Sequence, residues 1–249
     1  MDSPDLTVII PVYNEAPTIA VILEAVASNP FATQVVIVDD GSTDGSADAI
    51  EVWACRDGIR CDFLKHPRNL GKGAAIRTGL GRALGRVTLV QDADLEYDVA
   101  DYTKIVGPIL TGEADVVYGS RYLRPDNALP WTTNRICVHL LNGLVRLLYG
   151  LKVTDEATCY KAFRTTILRQ MDLRCRRFEF CPEVTAKLSR MGLSVLEVPI
   201  GYQPRSHDEG KKIRWTDGIE AISTLIYWRF ARFCPTATTP APAAVADHP

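Results

Sequence analysis

No two of the chain's seven cysteines stand in C-x-x-C spacing, and their number is odd. A disulfide framework and a cysteine-rich zinc module are therefore excluded as organising devices, and the thiols are read as reduced. The four histidines are scattered, which leaves no His-rich metal site. Long apolar runs are lacking too, so no membrane-spanning helix is expected. Positive charge is not in excess: 28 Lys and Arg face 30 Asp and Glu, for a net charge of −2. Nucleic acid is not an expected partner. The opening segment MDSPDLTVIIPVYNE has no basic stretch followed by an apolar one, so no signal peptide is expected and the chain is read as cytoplasmic. No internal repeat is found. Gly71-Lys72-Gly73 lacks the G-x-x-x-x-G-K-[ST] spacing, which rejects a P-loop.

What is present is ordinary globular material: 249 residues, 47% hydrophobic and 23% charged. Within it stands Asp92-Ala93-Asp94, at the end of the apolar run from Val87 to Val90. Such a run reads as a buried strand. Strand alternation would point both carboxylates the same way. Two adjacent carboxylates repel, and burying them unpaired is expensive. A divalent cation with a preference for oxygen, Mg²⁺ or Mn²⁺, removes both difficulties. An acidic turn closing a strand is the plainer alternative.

Apolar runs alternate with helical patterns over the first 120 residues. Strands are expected at residues 6–12, 34–39, 61–64, 87–91 and 114–118. Helices are expected at 15–27, 46–55, 73–84 and 99–110, with Asp44 capping the second. This is the pattern of a parallel α/β sheet, whose ligands sit at the carboxyl ends of the strands. Three such ends are polar: Asn14-Glu15, Asp39-Asp40-Gly41-Ser42 and Asp92-Ala93-Asp94. The later part is less regular. Helices are expected at 134–149, 183–191 and 215–233, and strands at 161–164 and 194–200. Residues 124–133 form a Pro-rich polar loop, and residues 205–214 carry four cations in ten positions. Residues 235–249, rich in Pro, Ala and Thr, read as a disordered tail.

Taken in order, VIIPVYNE, VVIVDDGSTDGS, NLGKGAAIRTGL, VTLVQDADLE and ADVVYGSRY resemble family 2 glycosyltransferases of the GT-A fold. VTDEATCYKAFR, FEFCPEVTAKLSRMGLSVLEVPIGY and PRSHDEGKKIRWTDG are most similar to the dolichyl- and polyprenyl-phosphate sugar synthases. The resemblance implies a single Rossmann-like GT-A domain over residues 1–234, with a nucleotide-sugar half (1–120) and an acceptor half (121–234). It implies that Pro11, Tyr13, Asn14, Glu15, Asp39 and Asp92 line the nucleotide-sugar pocket. Asp92, Asp94 and Glu96 gather round Mg²⁺ or Mn²⁺; Glu96 stands where Gln is common, and Cys159 where Gly is. Asp94, Arg121 and Arg205 are the expected catalytic residues, with Arg121 toward phosphate. Arg135, Arg205 and Lys211 are expected on the acceptor. His207 reads as loop surface and Lys72 as either surface or donor contact.

The implied reaction is inverting transfer from GDP-mannose or a UDP-sugar to a polyprenyl or dolichyl phosphate. An acceptor phosphate is already anionic near neutrality, with a second pKa of about 6, and needs no strong base. Transfer to a hydroxyl is the first alternative; that acceptor must lose a proton, to Glu183 or Asp155. A non-catalytic nucleotide-sugar-binding subunit is the second, and the intact Asp92-x-Asp94 argues against it. A lipid acceptor implies contact with the cytoplasmic face of a membrane. Residues 215–233 are the expected means, with Ile219, Ile222, Leu225, Ile226 and Phe230 along one stripe and Trp228, Arg229 and Arg232 near the end. A helix packed on the sheet shows the same stripe, and a membrane-integral partner subunit is a third possibility.

Overall fold

In the computed structural model of the protein, residues 3–56, 60–127, 129, 133–205 and 215–236 are described. Strand β1 (Leu6–Val12) is buried along almost its whole length. Its neighbours alternate between two cores. Ile9 packs on one face of the sheet, and Val8 and Ile10 on the other. β2 (Thr33–Asp39) repeats the arrangement, with Val36 and Val38 on the first face and Val35 and Ile37 on the second. Burial on both faces is why these strands read as unbroken apolar runs.

The remaining strands are β3 (Cys61–Lys65), β4 (Val87–Val90), β5 (Val116–Ser120), β6 (Lys161–Arg164) and β7 (Leu196–Pro199). They form one seven-stranded sheet in the order β3-β2-β1-β4-β6-β5-β7. β6 runs antiparallel to both β4 and β5, and every other pairing is parallel. Helices α1 (Ala16–Ala27), α2 (Ser46–Ala54) and α4 (Tyr102–Leu110) cover one face. Helices α3 (Lys72–Leu80), α5 (Thr133–Tyr149), α7 (Phe180–Arg190) and α8 (Trp215–Phe230) cover the other, and α6 (Thr165–Gln170) follows β6. The helix-flanked α/β sheet is the architecture expected from the pattern; the antiparallel β6 makes it mixed where a parallel sheet was expected.

Several boundaries differ for local reasons. α3 stops at Leu80 rather than at residue 84. The chain must turn in beneath β1, where the Leu84 amide donates to Gln34 Oε1 at 2.8 Å and the Gly85 amide to Thr7 Oγ1 at 2.8 Å. A Cβ on Gly85 would lie 2.4 Å from the Thr7 nitrogen, so only glycine permits that approach. Residues 99–101 form a 3₁₀ turn before α4. β4 ends at Val90, so Asp92 and Asp94 lie in a turn, and strand alternation is not what places them.

Candidate active site

The first two strand ends are stapled together. Asn14 sits at φ 52°, a left-handed geometry that Asn tolerates better than most residues. Its amide donates to Ser42 Oγ at 2.9 Å, and its side-chain oxygen accepts from the Thr43 amide at 2.8 Å. The Glu15 amide donates to Ser46 Oγ at 2.8 Å. Asp44 accepts from the Ala16 and Ser46 amides at 2.9 and 3.0 Å, so one carboxylate serves the start of both α1 and α2. Burial pushes the Asp44 carboxyl up, and these hydrogen bonds outweigh it and hold it below the ordinary range. Asp39, nearly buried, accepts from the Ser42 amide at 3.2 Å. Pro11, Tyr13, Asn14, Glu15 and Asp39 thus stand along one rim. Asp40, noted in the sequence only as part of a polar strand end, fastens the next loop. It takes His66 Nδ1 at 2.6 Å and the Leu70 and Gly71 amides at 2.9 and 2.7 Å.

The start of α3 is closed to anions. The Gly73 and Ala74 amides each donate at 2.9 Å to the carbonyls of Arg177 and Arg176. A Cβ on Gly71 would meet the Arg176 carbonyl oxygen at 2.4 Å. This close packing fixes Lys72, whose Nζ lies 2.6 Å from Asp92 Oδ1 and 2.9 Å from Cys159 Sγ. Burial works against the ammonium charge; Asp92 and Cys159 together outweigh burial and keep the lysine charged.

The acidic turn gathers the rest. Leu95 at φ 60° reverses the chain, and the Glu96 amide donates to Asp94 Oδ1 at 3.2 Å. The Glu96 carboxylate accepts from Tyr202 Oη at 3.2 Å and from the Arg205 amide at 3.0 Å. The Arg205 side chain then ties two strand ends together. Its Nε donates to the Asp94 carbonyl at 2.7 Å and its Nη2 to Glu15 Oε2 at 2.9 Å. Burial, and next the Asp92 and Glu96 charges, push the Asp94 carboxyl up to about 7. A carboxylate pair held at such cost suits a cation, so Asp92 and Asp94 fit a divalent metal by the chemistry of their oxygens. Glu96 fits less well, because its oxygens already anchor residues 202–205. Among the described residues, no group of three His, Cys, Asp or Glu side chains is gathered closely enough to hold an ion.

Arg121, partly buried, and Asp155, fully buried, form a bidentate pair, with Nε to Oδ2 and Nη2 to Oδ1 both at 2.7 Å. The Arg121 amide adds a third bond at 3.0 Å, and the guanidinium lies 5.0 Å from the centre of the Tyr202 ring. Arg121 therefore faces a carboxylate here, where phosphate was expected. Glu183 is spent on Lys187 Nζ at 2.5 Å and on the Arg174 and Cys175 amides at 2.8 and 2.6 Å. Neither Asp155 nor Glu183 is placed as a base. Arg135 donates to the Leu129 carbonyl at 2.8 Å and lies 5.7 Å from the Tyr122 ring. Lys211 and His207 lie outside the described residues.

Sequence reasoning missed the buried polar cluster beside this site. Lys161 is fully buried, donates to the carbonyls of Glu156 and Thr158 at 2.9 and 2.8 Å, and lies 3.9 Å from the Tyr118 ring centre. Glu156 Oε2 accepts from Thr185 Oγ1 at 2.8 Å while Oε1 has no partner. Burial pushes this carboxyl up to about 8. The one available signal was the run Asp155-Glu156 placed between apolar segments.

The family model described as Glycosyl transferase family 2 matches residues 7–172. Among curated relatives, the chain is 28% identical over 218 residues to a dodecaprenyl-phosphate galacturonate synthase of Rhizobium johnstonii, covering 85% of the chain and 62% of that protein. It is 29% identical over 230 residues to an undecaprenyl-phosphate mannosyltransferase of Micrococcus luteus, covering 90% of the chain and 93% of that protein. The chain thus spans about 62% of the first of these relatives. Among solved structures, glucosyl-3-phosphoglycerate synthase of Mycobacterium tuberculosis, in complex with Mn²⁺, UDP and glucosyl-3-phosphoglycerate, superposes with a TM-score of 0.66 at 20% identity. That match covers 90% of this chain and 80% of the other. It is a likeness of fold.

Proposed function

The chain belongs to glycosyl transferase family 2, and from that premise we propose that it transfers a sugar, with inversion, from a nucleotide sugar to a polyprenyl phosphate. The relatives named above are synthases and transferases of polyprenyl-phosphate sugars. The observation that carries the reading is the state of the two candidate bases. Asp155 is neutralised by Arg121, and Glu183 by Lys187. A hydroxyl acceptor needs a free carboxylate to take its proton, and these two are engaged; an ionised phosphate needs none.

The residues divide the work by position. The stapled rim from Pro11 to Asp39 receives the nucleotide, with Asp39 on base or ribose. Asp92 and Asp94 are the residues to hold Mg²⁺ or Mn²⁺, which when bound supplies Lewis-acid neutralisation of the departing diphosphate. Lys72 keeps Asp92 oriented. Arg205, tethered to Glu15 and the Asp94 carbonyl, adds positive charge between two anionic substrates, with Arg135 the further cation proposed for the acceptor.

A lipid acceptor brings the protein to a bilayer surface. Among the described residues, no helix is long and apolar enough to cross a membrane. The sequence stripe on α8 divides into two faces. Leu225 and Trp228 are buried against the core, and Lys187 Nζ lies 3.9 Å from the Trp228 ring centre. Trp228 therefore does not serve a headgroup layer. Ile219, Ile226, Tyr227 and Phe230 are exposed, as are Ile136, Leu140 and Leu147 on α5. The two helices touch where a Gly218 Cβ would come within 2.9 Å of Cys137 Sγ. With Arg229 and Arg232, this outward surface suits shallow contact with anionic lipid, or with a membrane-integral partner subunit.

The reading is tested by incubating the protein with Mn²⁺, a panel of labelled nucleotide sugars and vesicles containing polyprenyl phosphate. One donor is expected to yield a lipid-extractable sugar phosphate. Donor hydrolysis with no lipid product from any of them contradicts it.

A further inference from the structure

Behind the acidic turn lies a pair of thiols that the reaction does not use. Cys159, just before β6, and Cys181, in the first turn of α7, bring their sulfurs to 4.0 Å. Among the other described cysteines, Cys55 and Cys234 are exposed and Cys175 is buried elsewhere. Cys181 Sγ also lies 3.2 Å from the Thr158 carbonyl, and Cys159 Sγ accepts from Lys72 Nζ at 2.9 Å. The same ammonium holds Asp92 at 2.6 Å. One sulfur of the pair is thus two contacts away from the carboxylate pair.

We propose that Cys159 and Cys181 are an oxidisable dithiol, and that peroxide converts them to a disulfide that withdraws Cys159 from Lys72 and weakens the donor site through Asp92. The inference about the donor site rests on the reading above; the inference about the dithiol does not.

The geometry supplies each requirement. A disulfide needs sulfurs about 2.05 Å apart, so the two must close by roughly 2 Å. That movement draws Cys159 Sγ toward α7, on which Cys181 is buried in the core. Cationic neighbours favour the thiolate, the reactive form. Lys72 contacts the pair directly, and the Lys161 ammonium shares the Thr158 carbonyl with Cys181. The hydrogen bond from Cys159 pulls the Cys181 thiol down to about 6, against burial and with help from both lysines. Since the two thiols share a proton, the ionisation belongs to the pair. Cys159 is half-buried, whereas Cys181 is buried.

The chemistry balances with peroxide as oxidant. A thiolate of the pair attacks one peroxide oxygen; the S–O bond forms, the O–O bond breaks and hydroxide leaves. The second thiol attacks the sulfenic sulfur; the S–S bond forms, the S–O bond breaks and water leaves. Two electrons pass from sulfur to peroxide. A dithiol reductant reverses the change by two exchanges.

The experiment oxidises the native protein with hydrogen peroxide, alkylates the remaining thiols and maps peptides without reduction. The expected product joins the peptide holding Cys159 to that holding Cys181. In parallel, calorimetry of a nucleoside diphosphate with Mn²⁺ is expected to show binding at least ~10-fold weaker after oxidation, the loss of about one charge-assisted contact, and recovery with dithiothreitol. Cys181→Ala, or Cys181→Ser should the first variant fold poorly, is expected to bind donor equally before and after peroxide. Oxidation confined to Cys55 and Cys234 overturns the proposal, as does a Cys159–Cys181 link that leaves affinity unchanged. Reduced protein that binds no nucleoside diphosphate overturns the transferase reading instead, while the peptide map still decides whether the dithiol forms.

Discussion

The two sides of β4 hold their polar groups by different means. Toward β1 and β2, carboxylates are met largely by backbone amides: Asp39 by Ser42, Asp40 by Leu70 and Gly71, Asp44 by Ala16 and Ser46. Toward β6 and α7, carboxylates are met by cations as well as amides: Asp155 by Arg121 and Glu183 by Lys187, each with one or two amides besides. Lys161, Lys187, Asp155 and Glu156 on that side are all fully buried. An amide-capped carboxylate is a local device, fixing one turn. The Arg121–Asp155 pair joins segments 34 positions apart, and losing one partner strands a charge in a poor solvent. The rim at the ends of β1 and β2 is accordingly expected to tolerate substitution better than the region around β6 and α7.

The largest consequence falls on Asp155→Ala. It leaves the partly buried Arg121 uncompensated, and should lower stability by about 3–5 kcal/mol in urea unfolding. Asp44→Ala on the other side should cost only about 0.5–2 kcal/mol, the usual value of a helix cap. Equal losses would remove the contrast. Next comes Asp94→Asn, which keeps the shape of the turn and removes its charge. Turnover should fall at least ~10²-fold, with Mn²⁺-dependent binding of nucleoside diphosphate lost in calorimetry. Unchanged affinity would detach the acidic pair from the metal.

Arg205→Ala sharpens the comparison, because this residue bridges the rim and the acidic turn. Use of polyprenyl phosphate should weaken by roughly 10- to 150-fold, or about 1.5–3 kcal/mol, in kinetics with the lipid varied. A change confined to the KM of the nucleotide sugar would assign Arg205 to the donor.

Glu156 makes the region around β6 and α7 sensitive to pH. Its folded pKa, about 8, lies above the ordinary 4.5. The folded state therefore retains a proton that the unfolded state releases. The stability associated with the neutral acid is complete below the unfolded value and is lost as pH rises through about 8. Melting temperature should fall between about pH 5 and about pH 9, and Glu156→Gln should remove most of that fall. An identical pH profile in the variant would show that the charge is matched elsewhere.

The amide-capped side was the readable one. β-branched runs such as Val8-Ile9-Ile10 and Val35-Val36-Ile37-Val38 declare strands buried on both faces, and the polar residues after them declare turns. Sheet type and the location of the rim follow from local pattern alone. The other side depends on distant pairings that local pattern does not encode. Lys72 meets Cys159 across 87 positions, and Arg121 meets Asp155 across 34. The antiparallel entry of β6 between β4 and β5 has no local signature either. α8 illustrates the limit most directly: one apolar stripe served equally for a packed helix and a surface helix. The structure uses Leu225 and Trp228 for packing and leaves Ile219, Ile226 and Phe230 outside.

The central claim is that the acceptor arrives already charged and needs no base. It is tested by comparing a polyprenyl phosphate with the corresponding polyprenol in the same vesicles, under the donor and metal that support turnover. The account predicts that sugar passes to the phosphate and not measurably to the alcohol. Comparable kcat/KM on the alcohol would contradict it, and would require a carboxylate released from its ion pair to act as base.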